Sequence, residues 1–169
     1  DRTTDAMFPT PAAPNIVKGF AKIGYRTIGI GGVQWFNDKF ITSNFWGKYY
    51  FSEFYWNEDY SETCFNAFEN QINKVKDLNL NHLKKPIFLF LNISSTHEPY
   101  MGFGESVEAQ KKAFEYVDKH LPRLFDFLPS EFVLMLLSDH GECFGEDDLW
   151  GHGFYHPKIM EVPFAYLEV

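Results

Sequence analysis

An acidic residue and a histidine stand side by side directly after an apolar run in this sequence. Asp139 and His140 follow the run 132–137 (FVLMLL). A carboxylate oxygen together with a neutral imidazole nitrogen suits Zn²⁺ or Mn²⁺ better than Ca²⁺, which prefers oxygen ligands alone. Neighbouring ligands reach one ion only where the backbone turns, and Gly141 supplies such a turn. The structural alternative is that Asp139 caps a following helix and His140 is an ordinary loop histidine.

A second histidine has a similar setting, because His97 lies just beyond the apolar run 86–93 (PIFLFLNI). A protonated imidazole at such a place would stabilise negative charge that grows in a transition state. The alternative for His97 is a turn histidine that donates a hydrogen bond to the backbone.

The other histidines carry weaker signals. His156 lies four residues after His152, which is a ligand-pair spacing on a helix, but Pro157 disfavours helical backbone at the residue before it. We expect His82 and His120 to be structural.

Apolar periodicity predicts the elements that position these side chains. Strands are expected at 25–30 and 162–169, and the continuous apolar runs 86–93 and 132–137 are typical of strands covered on both faces. Helical spacing predicts a first helix over 14–23, with Gly24 as its C-cap. A second is predicted over 61–78, capped by Ser61, with one face formed by Phe65, Phe68, Ile72, Val75 and Leu78. A third is predicted over 106–121, capped by Ser106 and with an end or kink at Pro122; its inward residues are Ala109, Ala113, Val117 and Leu121. This alternation predicts an α/β fold with a mostly parallel sheet sandwiched between helices, which binds ligands at the carboxyl ends of its strands.

Aromatic side chains crowd the segment 33–60 without a clean period, and aromatic residues make up 19% of the chain. We predict an irregular excursion there with short helical pieces. Its aromatic part, 33–56, is interpreted as core packing and a pocket wall, with a partner surface as the alternative. The residues 1–13 before the first helix are expected to form a loop.

Charge and cysteine usage narrow the function classes. The formal charge is −8 and no Lys/Arg-rich stripe is present, so nucleic-acid binding is not expected. No apolar run approaches the length of a transmembrane segment. Cys64 and Cys143 form no CxxC pair and no disulfide framework, which favours a reducing, cytoplasmic location.

The string 138–153 (SDHGECFGEDDLWGHG) resembles the C-terminal metal-binding signature of the alkaline phosphatase/sulfatase superfamily. Its spacing is closest to the phosphoethanolamine-transferase and sulfatase-like branches. The runs GYRTIGIGGVQWFN, FLFLNISSTHEPY and HPKIMEVPFA are similar to small bacterial sulfatase-like hydrolases. The resemblance implies an alkaline phosphatase-like fold, one catalytic domain over 1–169, and a divalent metal, with Zn²⁺ favoured over Mn²⁺, Mg²⁺ or Ca²⁺.

Roles for individual residues follow from this resemblance. Asp139 and His140 are implied as ligands of the metal that activates the nucleophile. His152 is implied as a catalytic histidine that faces the phosphoryl oxygens of the substrate, or as a ligand of a second metal. Glu142 is expected to hold His140 in the right tautomer from outside the ligand shell, or else to be a helix-start carboxylate. His97 is implied to touch the transferring group or the leaving oxygen.

The resemblance implies an enzyme that hydrolyses small anionic phosphate or sulfate esters by attack of a metal-activated hydroxyl. A transferase that passes a phosphoryl-linked head group to an acceptor would use the same residues. A non-catalytic interaction module is the alternative from another class.

The nucleophile expected for this superfamily is a Thr, Ser or formylglycine-forming Cys near an N-terminal strand. Neither Cys64 nor Cys143 lies in a CxPxR-like motif, and Thr3, Thr4 and Thr10 follow no buried strand. We therefore expect an N-terminally incomplete domain whose first strand and nucleophile segment lie upstream of residue 1.

Overall fold

The structure, a computed structural model, describes residues 14–37, 39 and 47–169. The helices are α1 (Ile16–Lys22), α2 (Gly47–Tyr50), α3 (Ala67–Asp77), α4 (Val107–Phe125) and α5 (Pro157–Met160). The strands are β1 (Arg26–Ile30), β2 (Glu53–Tyr55), β3 (Ile87–Leu91), β4 (Val133–Leu137), β5 (Cys143–Phe144), β6 (Trp150–Gly151) and β7 (Phe164–Glu168). Among the described residues, those before 129 form one compact unit, called the first unit, and residues 129–169 form the second unit.

A parallel three-stranded sheet, in the order β2-β1-β3, lies at the centre of the first unit. Ile28 of the middle strand is opposite Leu89 on one side and opposite Glu53 on the other. Because β1 has a neighbour at each edge, its residues from Thr27 to Ile30 are buried. The predicted parallel sheet is thereby confirmed, and β2 is an additional strand inside the segment expected to be irregular.

Helices and aromatic side chains cover both faces of this sheet. One face packs in a core formed by Ile28, Ile30, Phe68, Ile72, Val75, Val117 and Leu124, which come from β1, α3 and α4. Side chains alternate along a strand, so Phe88 of β3 points to the other face, where Phe20 of α1 stacks on it with ring centroids 4.7 Å apart. On that face a Cβ at Gly29 would lie only 2.7 Å from the ring of Phe54. The predicted sandwich of a sheet between helical layers is confirmed.

The helix predicted from Ser106 is confirmed at its start, because the Ser106 hydroxyl oxygen accepts the Ala109 N–H at 3.2 Å. Of the end or kink predicted at Pro122, the end is wrong, since α4 continues to Phe125, and the kink stays a prediction. A proline removes one backbone donor but leaves φ helical. Burial of Leu124 in the core favours continuation of the last turn.

The helix predicted over 61–78 begins later, at Ala67. The Ser61 hydroxyl donates to the Glu58 carbonyl at 2.7 Å and also bonds the hydroxyl of Thr63, so it stabilises a turn rather than a helix start. Phe65 precedes the helix and is exposed, contrary to its predicted place on the buried face.

The second unit contains two antiparallel pairs, β4 with β7 and β5 with β6. The strands predicted at 132–137 and 162–169 are therefore present. The expected cover on both faces of 132–137 is wrong, because Val133, Met135 and Leu137 are exposed. Within the described residues β4 pairs with β7 alone, and a two-stranded ribbon cannot bury both of its own faces. The other apolar run forms β3, which is half-buried along its length.

Several sequence predictions lie outside the described residues. These are the loop at 1–13, the threonines considered as nucleophiles (Thr3, Thr4 and Thr10), and Phe40, Phe45 and Trp46 of the aromatic segment. Within the described part of the chain, every helix is too short or too polar to cross a lipid bilayer. A single catalytic domain over 1–169 stays a prediction.

Candidate metal centre

Two imidazoles and a carboxylate converge in the second unit. The ligating atoms of His140, Glu142 and His152 all lie within 4.8 Å of one another. The rings of His140 and His152 stack, with centroids 4.0 Å apart and an interplanar angle of 30°. The carboxylate oxygens of Glu142 lie 2.9 and 3.2 Å from Nδ1 of His152. Imidazole nitrogen and carboxylate oxygen are ligands of Zn²⁺ in proteins, so this donor set fits the metal implied by the resemblance.

Strand pairing brings the carboxylate and one of the imidazoles together. Cys143 is opposite Gly151 in the antiparallel β5–β6 ribbon. Glu142 directly precedes β5 and His152 directly follows β6, so the two side chains leave the ribbon at the same end. Gly151 has a φ of +82°, and a Cβ there would lie 3.4 Å from Oε1 of Glu142. The glycine thus allows both the backbone turn and the close carboxylate.

Hydrogen bonds determine which nitrogen of each ring is available to a metal. Nδ1 of His140 lies 2.9 Å from the carbonyl oxygen of Gly141, and a carbonyl oxygen only accepts. Nδ1 of His140 therefore carries the proton, and Nε2 keeps its lone pair. The Glu142 carboxylate has the same effect on Nδ1 of His152. The predicted partner of Glu142 is thus corrected: the Gly141 carbonyl orients His140, whereas Glu142 contacts His152.

Asp139 lies beside this cluster rather than in it. Its carboxylate is 86% exposed, and Oδ2 is 3.8 Å from Nε2 of His140. Oδ1 accepts the backbone N–H of His140 at 3.1 Å. No helix follows Asp139 directly, so the helix-cap alternative fails, as does the helix-start alternative for Glu142. Ligation by Asp139 stays a prediction.

His156 lies against the loop that carries the cluster. It is the N-cap of α5, where its Nδ1 accepts the Lys158 N–H at 3.1 Å. Nδ1 is also 3.3 Å from Sγ of Cys143, and Nε2 is 3.3 Å from Oδ2 of Asp147. The expectation that Pro157 disfavours helical backbone at His156 is confirmed, since His156 is extended and α5 begins only at Pro157. Proline is well suited to the first helical position, where its missing N–H has no helical partner.

The thiol of Cys143 is held in its neutral form. Burial raises the pKa of Cys143, and the nearby carboxylates of Glu146, Glu142 and Asp147 raise it further against the opposing charge of Lys158. A thiol with a raised pKa is a poor nucleophile.

His97 belongs to the first unit. It ends the 3-10 turn Ser94–Thr96 after β3, and its Nδ1 lies 2.7 Å from the carbonyl oxygen of Glu98. That contact is the one expected of a turn histidine, and it leaves Nε2 with a lone pair. Its implied role at the leaving oxygen stays a prediction. His120, in contrast, packs edge-on against Tyr116 with ring centroids 4.5 Å apart, as expected of a structural histidine.

Part of the described aromatic segment packs against the sheet and lines a cavity, whereas Trp35 and Tyr49 are exposed. Phe51 packs against Phe54 and against Phe90 of β3, with ring centroids 5.9 and 5.7 Å apart. A cavity of about 220 Å³ in the first unit is lined by Lys48, Phe54, Tyr55, Trp56, Asn57, Tyr60 and Lys74. A partner surface on this segment has no further support.

Comparison with known proteins places these observations in a family. Residues 8–164 match the family model described as Sulfatase, which covers the parallel sheet and the 138–153 loop. No curated protein and no solved structure matches the chain. The family match agrees with the α/β sheet and with the resemblance of the 138–153 string. The chain belongs to the sulfatase family, within the alkaline phosphatase/sulfatase superfamily of ester hydrolases.

Proposed function

We propose that this protein hydrolyses a phosphate or sulfate ester with the help of a divalent cation held by the 138–153 loop. The observation that carries the proposal is the convergence of His140, Glu142 and His152 within 4.8 Å. Two nitrogen donors and one oxygen donor favour Zn²⁺ over Mg²⁺ or Ca²⁺. A cation held there would withdraw charge from the ester oxygens and activate a hydroxyl nucleophile.

The protein residues have separate tasks in this proposal. His140 and His152 would present Nε2 to the cation, because their Nδ1 protons are already held by the Gly141 carbonyl and by Glu142. Glu142 would fix the orientation of the His152 ring from outside the ligand shell. Asp139 would supply the oxygen ligand by rotation of its exposed side chain.

His97 is proposed to act on the substrate rather than on the cation. A proton on its Nε2 would stabilise negative charge on the leaving oxygen as the ester bond breaks. The carbonyl of Glu98 holds the other nitrogen and so fixes the ring. The substrate itself is proposed to be a small anionic ester, the class on which the sulfatase family acts.

The test is an esterase assay of the full-length protein with Zn²⁺ or Mn²⁺ on aryl phosphates, phosphodiesters and aryl sulfates. We expect turnover of at least one ester class, and a loss of about 100-fold or more in Asp139→Ala and His140→Ala. His82→Ala, in a turn of the first unit, is the matched control and should retain activity. Inactivity toward every ester class, or full activity in both variants, would overturn the proposal. If the phosphoryl-linked group is instead found attached to an added alcohol and little free acid is formed, the protein is a transferase.

A further inference from the structure

Helix α5 approaches the backbone directly before Glu142. The N–H of Gly141 donates to the carbonyl oxygen of Ile159 at 2.8 Å. A Cβ at position 141 would lie 2.0 Å from the carbonyl oxygen of Lys158, a separation that real Cβ atoms do not show. Only glycine allows this contact, so α5 fixes the chain on the N-terminal side of Glu142.

The same helix fixes the chain directly after Glu142 through His156. Nδ1 of His156 accepts the Lys158 N–H, so this nitrogen carries a lone pair rather than a proton. Sγ of the buried Cys143 lies 3.3 Å from that nitrogen, close enough for the S–H group to donate to it. The residues on both sides of Glu142 are thus held by one short helix.

The other nitrogen of His156 reaches the turn that joins β5 to β6. In a neutral ring with Nδ1 unprotonated, Nε2 carries the proton, and it lies 3.3 Å from Oδ2 of Asp147. Asp147 has a φ of +51°, in the left-handed region, which aspartate tolerates better than most residues other than glycine. The imidazole is only 12% exposed. One ring therefore contacts β5, the turn after it and the start of α5.

We infer that His156 is a positioning residue of the candidate metal centre. It holds Glu142 in place from α5 and, through the pairing of Cys143 with Gly151, also holds His152. His156 is not itself a ligand in this arrangement, because each of its nitrogens already has a partner within the loop. The inference rests on the proposed function of the 138–153 loop.

His156→Asn separates this positioning role from helix capping. Asparagine is a good N-cap residue, but its side chain is too short to contact Cys143 and Asp147 together. We expect Co²⁺ affinity, measured by absorption titration against a competing chelator, to fall about 10–100-fold. In the metal-free protein we expect faster amide hydrogen exchange at Gly141 and Cys143. His120→Asn, which removes a packed ring in the first unit, should leave both measurements unchanged.

Asp147→Ala tests the same ring at an exposed carboxylate, where the substitution does not threaten folding. We expect its Co²⁺ affinity to fall by about 3–10-fold. This is less than the effect of groups that hydrogen-bond directly to metal ligands, because Asp147 acts through His156. Unchanged Co²⁺ affinity in both His156→Asn and Asp147→Ala, with a wild-type protein that binds Co²⁺, would overturn the inference and leave the proposed function standing. A wild-type protein that binds no Co²⁺ would overturn the metal centre and, with it, this inference.

Discussion

The imidazole rings of His140 and His152 lie face to face, with their centroids 4.0 Å apart. Two protonated rings at that distance would repel each other, whereas two neutral rings can share a cation. The Nδ1 proton of His140 is held by a backbone carbonyl and that of His152 by Glu142. In the neutral form of both rings the lone pair is therefore on Nε2, and metal binding requires such an unprotonated nitrogen.

Replacement of Glu142 by glutamine tests the carboxylate of the cluster. Glu142→Gln keeps the shape of the side chain but removes its negative charge. It also replaces one of the two oxygens that can accept from His152 with an NH2 group, which only donates. We expect the affinity for Zn²⁺, measured by chelator competition, to fall about 10–100-fold. Glu105→Gln, at an exposed residue of the first unit, is the matched control. Equal affinities in the wild type and Glu142→Gln would show that the carboxylate has no part in binding.

Asp139 is the implied ligand that lies outside the three-residue cluster. Because its carboxylate is exposed, a bound cation can draw it in by side-chain rotation at little energetic cost. We expect Asp139→Asn to lower Zn²⁺ affinity by about 10-fold in the same titration. An affinity equal to that of the wild type would remove Asp139 from the ligand set.

The contact between Gly141 and α5 predicts opposite effects at two glycines. Gly141→Ala would force a Cβ against the Lys158 carbonyl, and we expect a loss of about 1–3 kcal/mol in the free energy of unfolding. Gly19→Ala, in α1, meets no atom within 4 Å and should gain up to about 1 kcal/mol, because alanine favours helix. Urea denaturation of both variants measures whether the free energy of unfolding falls in Gly141→Ala and rises in Gly19→Ala. A neutral Gly141→Ala would contradict the close approach of α5.

An ion pair between β1 and β2 predicts acid sensitivity of the first unit. The Arg26 guanidinium donates to both oxygens of Glu53, at 2.5 and 2.7 Å, and lowers the pKa of that carboxyl, with a further contribution from the hydroxyl of Tyr55. Because the pKa of Glu53 is lower in the folded protein, the ion pair stabilises the fold at every pH above the ordinary pKa of 4.5. This stability is lost as the pH falls through the lower pKa of the folded protein.

Urea unfolding at a series of pH values checks this ion pair. We expect the wild type to lose unfolding free energy below about pH 4.5 more steeply than Glu53→Gln does. At neutral pH Glu53→Gln should be less stable by about 1–3 kcal/mol, since a charge-assisted hydrogen-bonded pair is broken. Parallel pH profiles for the two proteins would mean that Glu53 contributes nothing to acid lability. Glu105→Gln again serves as the control.

The parallel sheet was predictable because its strands are strongly patterned. The run at β3 is continuous and apolar, and Ser106 followed by apolar residues at helical spacing marks the start of α4. β2 was missed, since three residues in a crowded aromatic segment show no alternation. The cover expected over β4 was also wrong, because an apolar run indicates a strand but does not specify its neighbours.

The candidate site was predictable in composition but not in geometry. His140 and His152 were identified from the 138–153 string, yet the place of Glu142 against His152 depends on pairing between two-residue strands. Strands so short carry no periodic signal. Gly151 between Trp150 and His152 was the available hint, since a glycine between larger residues often marks a positive φ. The role of His156 as an N-cap was not predicted, because Pro157 was considered only for its effect on the residue before it and not as the first residue of a helix.

The most direct measurement is a crystal structure of the protein soaked with Zn²⁺, with anomalous data collected on both sides of the zinc absorption edge. We predict one strong anomalous peak at about 2.0–2.2 Å from Nε2 of His140 and from Nε2 of His152. A protein saturated with Zn²⁺ elsewhere, with no peak at these two nitrogens, would contradict the metal centre on which the proposed hydrolysis depends.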